Sequence, residues 1–400
     1  KMVGDAAKYK YVASAQRQLP KRKSVKTNKG EMQVAKIEMA SRGVVLDYTT
    51  VASATNFTFQ GDTTYYVSGT VNLSSNTTVE AGSVIKFANT GWPRINLIGT
   101  LTSQATAYRP VVITAKDDDT VGETISGSTG NPSGWYALIA LNCINLSSPL
   151  QIQNWRVAYA GIGLYARYNS GHSIRHSQFV NCQYPFYFSD TTGALENILI
   201  YNSFLAIWAN NATLSAAHLT VDQASTLLNG TGGATLSLTN SLLANVTNWG
   251  GSFTSDHNAT NSGGGIFQTV GAASHYLAEG STNRNAGTTN LSASLLAGLQ
   301  KQTTYPPIEI TTNFTGDTVL SPQAQRDTDT PDLGYHYDPL DYVVSGRTVS
   351  ANLTLTNGVA LGTYGASSSY GLGLNSLAYI TNFVSEGTPT RLNWIVRYNT

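Results

Sequence analysis

The most regular part of the sequence reads IQNWRVAYAGIGLYA from Ile152, IRHSQFVNCQYPFYF from Ile174 and LENILIYNSFLAIWA from Leu195. Two weaker copies of the same pattern start at Leu214 and Leu236. The starts are 22, 21, 19 and 22 residues apart. A self-similar period near 20 residues indicates an array of one small structural unit.

Each copy carries apolar residues at fixed places. One lies five positions after the start, and in the first three copies another lies seven positions further on: Val157 and Leu164, Phe179 and Phe186, Ile200 and Ile207. The apolar runs are short, rich in β-branched and aromatic residues, and interrupted by Asn, Gly and Ser, which is typical of strands joined by turns. Since one such unit cannot bury its own apolar face, we expect the units to stack as the coils of a β-solenoid.

Asparagine recurs at the turn between the two apolar positions. Asn181 and Asn202 occupy equivalent places, and Asp222 and Asn245 fall close to the same column. Side-chain amides stacked in this way hydrogen-bond to one another and to the backbone of the turn. We expect this column to have a structural role rather than to bind a ligand.

These repeats resemble those of the right-handed parallel β-helix family of secreted bacterial proteins, the pectate-lyase-like solenoids. The family pattern is an aliphatic residue, four residues, a second aliphatic residue, an Asn-rich turn and then Gly-Ile-x-Leu, which stands here at residues 161–164. Residues 65–87, 95–120 and 134–141 resemble opening coils, and residues 321–342 resemble a closing segment. The resemblance implies an all-β, single-stranded, right-handed parallel β-helix. It implies no single activity, because this fold hosts many functions.

Charge and repeat boundaries divide the chain into three predicted parts. Residues 1–45 are a basic arm, since the first 42 residues hold eleven basic and three acidic groups. Residues 46–342 are assigned to the β-helix. Residues 343–400 are a β-rich extension, in which VSGRTVSANLTLTNGVAL from Val344 resembles VSGTVNLSSNTTVEAGSVI from Val67. We interpret the extension as the start of a second β-helix unit in a longer protein, with a capping edge sheet as the alternative.

The composition excludes several classes of protein. With 41% hydrophobic and 12% charged residues among its 400, the chain is neither disordered nor a coiled coil, and no apolar run is long enough for a membrane-spanning helix. Polar residues are mainly Thr, Ser and Asn, and eleven Asn-x-Ser/Thr sequons occur, so we expect a secreted or cell-surface protein. The basic arm lacks the interleaved aromatic residues of nucleic-acid-binding segments. Cys143 and Cys182 are too few for a disulfide framework.

Cleavage of polysaccharides requires acid, base and charge-neutralising groups on one strand face. Within the regular repeats the acids Asp190, Glu196 and Asp222 fall in different columns or turns, so the sequence there lacks the paired carboxylates of a hydrolase. A lyase acting on acidic glycans would combine arginine with a histidine or tyrosine base. The candidates for such a site are His172, His176, Arg167 and Arg175, with a role as ordinary turn residues as the alternative.

A column of aromatic residues is predicted on the outer surface. In the first three copies the second inward-pointing residue is followed by an aromatic one, which must point outward: Tyr165, Tyr187 and Trp208. At a strand spacing of about 4.8 Å, three such rings form a flat strip about 10 Å long. Aromatic rings suit the C–H faces of sugars, and Arg167 and Asn210 lie two residues beyond the first and third rings. These five residues are the candidate glycan-binding site, and cover by another segment is the alternative.

Two acidic loops are candidates for calcium binding, because calcium prefers oxygen ligands and is abundant outside cells. Neither loop matches the helix-loop-helix calcium motif, and turn capping by the same side chains is the alternative. The candidate ligands are Asp117 and Asp119 in the first loop and Asp327, Asp329 and Asp332 in the second.

Together these features favour an extracellular or cell-surface structural or adhesive β-solenoid that binds glycans on an exposed aromatic face. One alternative is a polysaccharide lyase or hydrolase acting on acidic glycans. Another is a filament subunit that self-associates through solenoid ends, whose strand edges are unpaired, or through the basic arm. The expected partners are a polysaccharide or a second copy of the chain, and nucleic acid is not expected.

Overall fold

The computed structural model describes residues 48–365, 371–374 and 382–398. The protein is mostly β, with 55% of residues in strands and 2% in helix. The basic arm predicted for residues 1–45 lies outside the described residues. In the described part of the chain, no helix is long and apolar enough to cross a membrane.

Eighteen strands form one large sheet. They are β1 (Thr49–Thr50), β2 (Ala54–Phe59), β3 (Thr64–Val67), β4 (Thr70–Val79), β5 (Val84–Phe87), β6 (Arg94–Ser103), β7 (Val111–Ala115), β8 (Ala137–Leu146), β9 (Gln151–Gln153), β10 (Trp155–Ala158), β11 (Ala160–Arg167), β12 (His172–Val180), β13 (Tyr184–Thr231), β14 (Thr235–Thr239), β15 (Leu242–Ala244), β16 (Asn248–Gly250), β17 (Thr254–Asp256) and β18 (Ala259–Asn261).

Pairing in this sheet is parallel, and across the regular repeats the partner is 21 or 22 residues further along the chain. Leu164 of β11 pairs with Phe186, Phe179 of β12 with Ile200, and Leu214 with Leu236 of β14. Parallel strands so close in sequence require the chain to return to its starting side within each repeat. The predicted repeat length is therefore the register of the sheet.

Three columns of residues in the left-handed region bend the chain once each per repeat, with φ between 46° and 63°. Such values favour Asn and Gly over most other residues. The first turn column contains Asn154, His176, Asn197, His218 and Asn240. The second turn column contains Tyr159, Asn181, Asn202, Gln223 and Asn245, and the third contains Asn169, Asp190, Asn211 and Gly232.

The predicted amide contacts of the second turn column are confirmed. The Asn202 side chain donates to Oδ1 of Asn181 at 2.7 Å, and the Asn245 side chain donates to Oδ1 of Asp222 at 2.8 Å. Gln223, rather than Asp222, occupies the left-handed position in its repeat. The Asp222 carboxylate reaches the column from one residue earlier.

The inward side chains form one continuous apolar core. Leu164, Phe186 and Ile207 are fully buried, as predicted, and so are Phe179 and Trp155. The Phe179 and Phe186 rings lie 4.3 Å apart between centroids. Cys143 and Cys182 are buried free thiols, and burial raises the pKa of each to about 12.

One face of the large sheet is covered by the chain that follows it. The cover begins with an antiparallel pair, β19 (Phe267–Val270) and β20 (Ala273–Leu277), and continues through helix α1 (Ala293–Leu299). His275 contacts Asp222 with 3.0 Å between Nε2 and Oδ2, and both side chains are buried. Further on, Tyr335 and Tyr337 pack with Leu199 of the sheet in a second apolar cluster.

Eight of the remaining strands form three smaller parallel sheets around a separate apolar cluster that includes Val344, Val349 and Leu353. The strands are β21 (Ile308–Ile310), β22 (Thr318–Leu320), β23 (Tyr342–Val344), β24 (Arg347–Val349), β25 (Leu353–Leu355), β26 (Ala360–Thr363), β27 (Leu372–Leu374), β28 (Phe383–Ser385) and β29 (Trp394–Arg397), of which β21, β23, β26 and β29 form the first sheet, β22, β25 and β28 the second, and β24 and β27 the third.

Candidate functional site

The three predicted aromatic residues lie side by side on the outer surface of β11 and β13. Tyr165 pairs with Tyr187 in the parallel register, and their rings stack with centroids 4.4 Å apart and planes 6° from parallel. The Tyr187 and Trp208 rings stack at 4.5 Å and 18°. All three side chains are partly exposed. The segments that cover the other face of the sheet therefore do not bury this column.

The geometry differs from the flat strip that was predicted. Because the rings stack face to face, most of each inner ring face is occupied by its neighbour, and the column presents ring edges and the polar Tyr and Trp atoms to solvent. The spacing between strands, about 4.8 Å, is close enough to the preferred distance for offset stacking that neighbouring rings turn toward each other. Sugar contacts are therefore expected at ring edges and at the ends of the stack.

The same column continues upstream as a row of asparagines. Asn142 pairs with Tyr165 across β8 and β11. The Asn142 side chain donates to Asn96 at 2.7 Å, and Asn96 donates to Asn72 at 2.7 Å. The row of amides ends at Tyr165, which has no amide to donate, and Oδ1 of Asn142 has no hydrogen-bond partner among the described residues.

Two aromatic residues that sequence reasoning missed extend the column sideways. The Tyr184 ring lies 5.6 Å from Trp208 and 6.1 Å from Phe204, and Phe204 is 55% exposed. Phe204 directly follows the second turn column, where the sequence departs from strict alternation after Asn202 and Ser203. The aromatic face is the surface formed by these five rings: Tyr165, Tyr184, Tyr187, Phe204 and Trp208.

The two polar residues predicted beside the rings have protein partners. Arg167 forms an ion pair with Asp190, with 3.0 Å between Nε and Oδ2, and its guanidinium lies 4.5 Å from the centre of the Tyr168 ring. The Asn210 amide accepts from Thr231 at 3.0 Å and donates to Ser189 at 3.4 Å. Both residues border the third turn column, where Asp190 also accepts from Asn211.

The four candidates for catalysis are distributed over separate contacts. His172 is buried; its Nδ1 accepts from the Leu150 amide and its Nε2 bonds to the Tyr168 carbonyl, both at 2.9 Å. His176 lies in the first turn column, where its Nδ1 is 3.1 Å from the Asn197 amide nitrogen. Arg175 pairs with Glu196 at 2.6 Å. None of these contacts joins a histidine to the arginine that a lyase would place beside the substrate.

Burial affects the protonation of the two histidines. It lowers the pKa of His172 below its usual value of 6.5. Burial, followed in size by the nearby Arg175 and His336, lowers the pKa of His176 to about 4. Both imidazoles are therefore neutral at neutral pH, and each accepts a hydrogen bond in the fold.

The first predicted calcium loop is held together by its own hydrogen bonds. Asp117 accepts from Tyr136 at 2.6 Å, from Lys116 at 2.9 Å and from the Thr129 amide at 2.8 Å. Burial opposes its ionisation, but these hydrogen bonds outweigh burial and hold the pKa of Asp117 below its usual value. Asp119 accepts from Ser128 at 2.9 Å.

The acids of the second predicted calcium loop also fall in different places. Asp327 bonds to His336 at 2.6 Å, and Asp332 bonds to Arg284 at 3.3 Å and accepts from Thr304. Asp329 is exposed. Within the described residues, no group of three or more His, Cys, Asp or Glu side chains is placed to hold a metal ion.

Comparison of the chain with protein-family models, with curated proteins and with solved structures gives no match in any of the three.

Proposed function

We propose that this protein is an extracellular or cell-surface structural or adhesive protein, built as a right-handed parallel β-helix, that binds glycans on its aromatic face. Three features of the fold support the β-helix. Parallel partners lie one repeat apart, three columns of left-handed residues bend each repeat, and β13 contains bends from all three columns within its 48 residues. A straight strand of that length would extend about 160 Å.

The C-terminal sheets support a second winding of the same kind, as the sequence echo at Val344 predicts. Tyr342 pairs in parallel with Leu361, Leu353 with Phe383 and Arg347 with Leu372. Three parallel sheets around one apolar cluster reproduce, in short form, the arrangement of the longer array. A multi-unit solenoid of this type suits a structural or adhesive role because it presents long faces on a rigid support.

The observation that carries glycan binding is the partly exposed aromatic face. Tyr165, Tyr187 and Trp208 are fixed by stacking on each other and on strands, so little side-chain freedom is lost when a ligand binds. Burial raises the pKa of Tyr165, and its hydroxyl stays protonated and able to donate. Rings that combine an apolar edge with a polar atom suit sugars, which offer both C–H groups and hydroxyls.

The local contacts of the polar residues favour binding over cleavage. Arg167 and Arg175 are paired with carboxylates, and His172 has both ring nitrogens bonded to backbone groups. A uronate would have to displace these partners before an arginine could neutralise it.

Depletion from solution onto a panel of insoluble neutral and acidic polysaccharides tests this proposal. We expect the wild-type protein to bind at least one polymer, and we expect Tyr187→Ala and Trp208→Ala to lose most of that binding. Trp92→Ala is the matched control, because Trp92 is 73% exposed and lies outside the aromatic face. Retention of full binding by both variants, or no binding to any polymer, would overturn the proposal. Release of unsaturated sugars in the same samples would instead establish a lyase.

A further inference from the structure

A groove of about 580 Å³ runs beside the aromatic face. Its floor is formed by successive turns of the second turn column, including Asn181, Gln183 and Asn202. Two aromatic side chains stand at its sides: Trp135, from the loop before β8, is 53% exposed, and Phe204 is 55% exposed. Unlike the rings of the stack, these two rings have a large part of their surface open to solvent.

None of the twelve residues that line this groove is charged. A second depression of about 270 Å³ shares Phe204 with the first and is lined by Leu205, Thr226, Leu228, Asn229 and three glycines, also without charge. The two depressions together cross four successive layers of the sheet. At about 4.8 Å per layer this is a path of about 14 Å, which suits an extended chain rather than a single sugar.

The hydrogen-bonding groups of the groove are amides and hydroxyls. The Asn202 amide is fixed by its bond to Asn181, and the Asn181 side chain also bonds to the Tyr159 hydroxyl. The Ser203 hydroxyl lines the groove, is buried, and has no hydrogen-bond partner in the described part of the chain. A buried hydroxyl without a partner is costly, and a ligand hydroxyl or a bridging water would remove that cost.

We infer that this groove binds an extended, neutral oligosaccharide across Phe204, with Trp135 as the second stacking surface. The inference rests on the proposed glycan binding and specifies its ligand. An acidic glycan would bring carboxylates into a groove that offers no cation to pair with them, and desolvation of those carboxylates would disfavour binding. A neutral glycan needs only ring faces, amides and hydroxyls, all of which the groove supplies.

Calorimetric titration with defined hexasaccharides tests the inference. The neutral probes are cellohexaose, xylohexaose, mannohexaose and laminarihexaose, and the acidic probe is hexagalacturonate. We expect at least one neutral probe to bind, with an affinity that does not change with salt, and the acidic probe not to bind. Phe204→Ala and Trp135→Ala should each weaken binding about tenfold.

The control variants are Tyr168→Ala and Trp92→Ala, which remove rings of similar exposure elsewhere and should leave affinity unchanged. Because all four side chains are more than half exposed, the variants are expected to fold, and circular dichroism checks this. Binding of hexagalacturonate alone, or neutral binding that survives Phe204→Ala and Trp135→Ala, would overturn this inference while leaving glycan binding in place. Failure of every hexasaccharide and of every polymer in the depletion assay would overturn both.

Discussion

The first and second turn columns repeat the same left-handed bend in the same repeats, but their surroundings are opposite. In the first column Asn197 is fully buried, and its side chain bonds to His176, Gln302 and His336. In the second column Asn202 is exposed, and its side-chain amide donates to Asn181. The difference arises because residues 273–341 cross the first column and leave the second one open to the groove.

The covered column therefore works as a docking surface for the chain itself. The His336 amide donates to Asn197 at 2.7 Å, and the Thr288 amide donates to Asn240 at 2.8 Å. His336 in turn bonds to Asp327 at 2.6 Å. Burial opposes ionisation of Asp327, but the bond from His336 outweighs burial and lowers the pKa of Asp327. The comparison teaches that one repeated turn can stabilise the fold where it is covered and remain free to bind where it is open.

The largest expected effect separates the two columns directly. Asn197→Ala leaves the backbone of His336 and the side chain of Gln302 without partners in a buried site, and we expect the free energy of unfolding to fall by about 3 kcal/mol. Asn202→Ala places the same residue in the same backbone conformation, so the strain of a left-handed alanine is matched. It loses one exposed bond and should cost about 1 kcal/mol beyond that strain. Urea unfolding measures both, and equal losses would contradict the distinction between the columns.

The pH dependence of stability is the next expected effect, and it belongs to the covered column. His218 is fully buried; the Asn240 amide nitrogen is 3.0 Å from its Nε2, and its Nδ1 is 3.3 Å from the Gly334 carbonyl. The ring is thus satisfied when neutral, and burial, followed by the nearby His336, lowers its pKa well below 6.5. The pKa of His176 is lowered to about 4 for a similar reason.

Because the unfolded chain binds these protons more readily than the folded one, stability should decrease as the pH falls from 6.5 toward 4. Each histidine contributes at most about 1.4 kcal/mol per pH unit. His218→Asn should flatten the profile while preserving the fold, because asparagine occupies the equivalent places Asn154, Asn197 and Asn240. Urea unfolding at several pH values measures the slope, and an unchanged slope in this variant would remove His218 from the explanation.

The sequence predicted those parts of the molecule that depend on neighbouring repeats. The inward residues Leu164, Phe186 and Ile207, the stacked Tyr165, Tyr187 and Trp208, and the Asn181–Asn202 contact all follow from a register of 21 or 22 residues. A periodic pattern carries this information because equivalent residues must meet across parallel strands.

What depends on distant segments could not be predicted in the same way. His176 was a candidate base in the sequence, and it lies in the covered column because residues more than a hundred positions later fold over it. Trp135 and Phe204 meet in one groove although one belongs to an insertion and the other to a regular repeat. No periodicity relates such residues, since the path of an insertion is set by its own packing.

The smallest expected effect concerns the open side and uses the aromatic stack. Tyr165 and Tyr187 lie in neighbouring strands with rings 4.4 Å apart, so their interaction should appear as a coupling energy in a double-mutant cycle. With Tyr165→Leu, Tyr187→Leu and the double variant, we expect a coupling of about 1 kcal/mol in urea unfolding. A cycle between Tyr165 and the distant Tyr168→Leu site is not a clean control, because Arg167 contacts the Tyr168 ring. Tyr165 with Trp92→Leu is therefore used instead, and it should give no coupling. A coupling near zero for the stacked pair would mean that the rings do not hold each other, and the aromatic face would then lack the rigidity on which the proposed glycan binding depends.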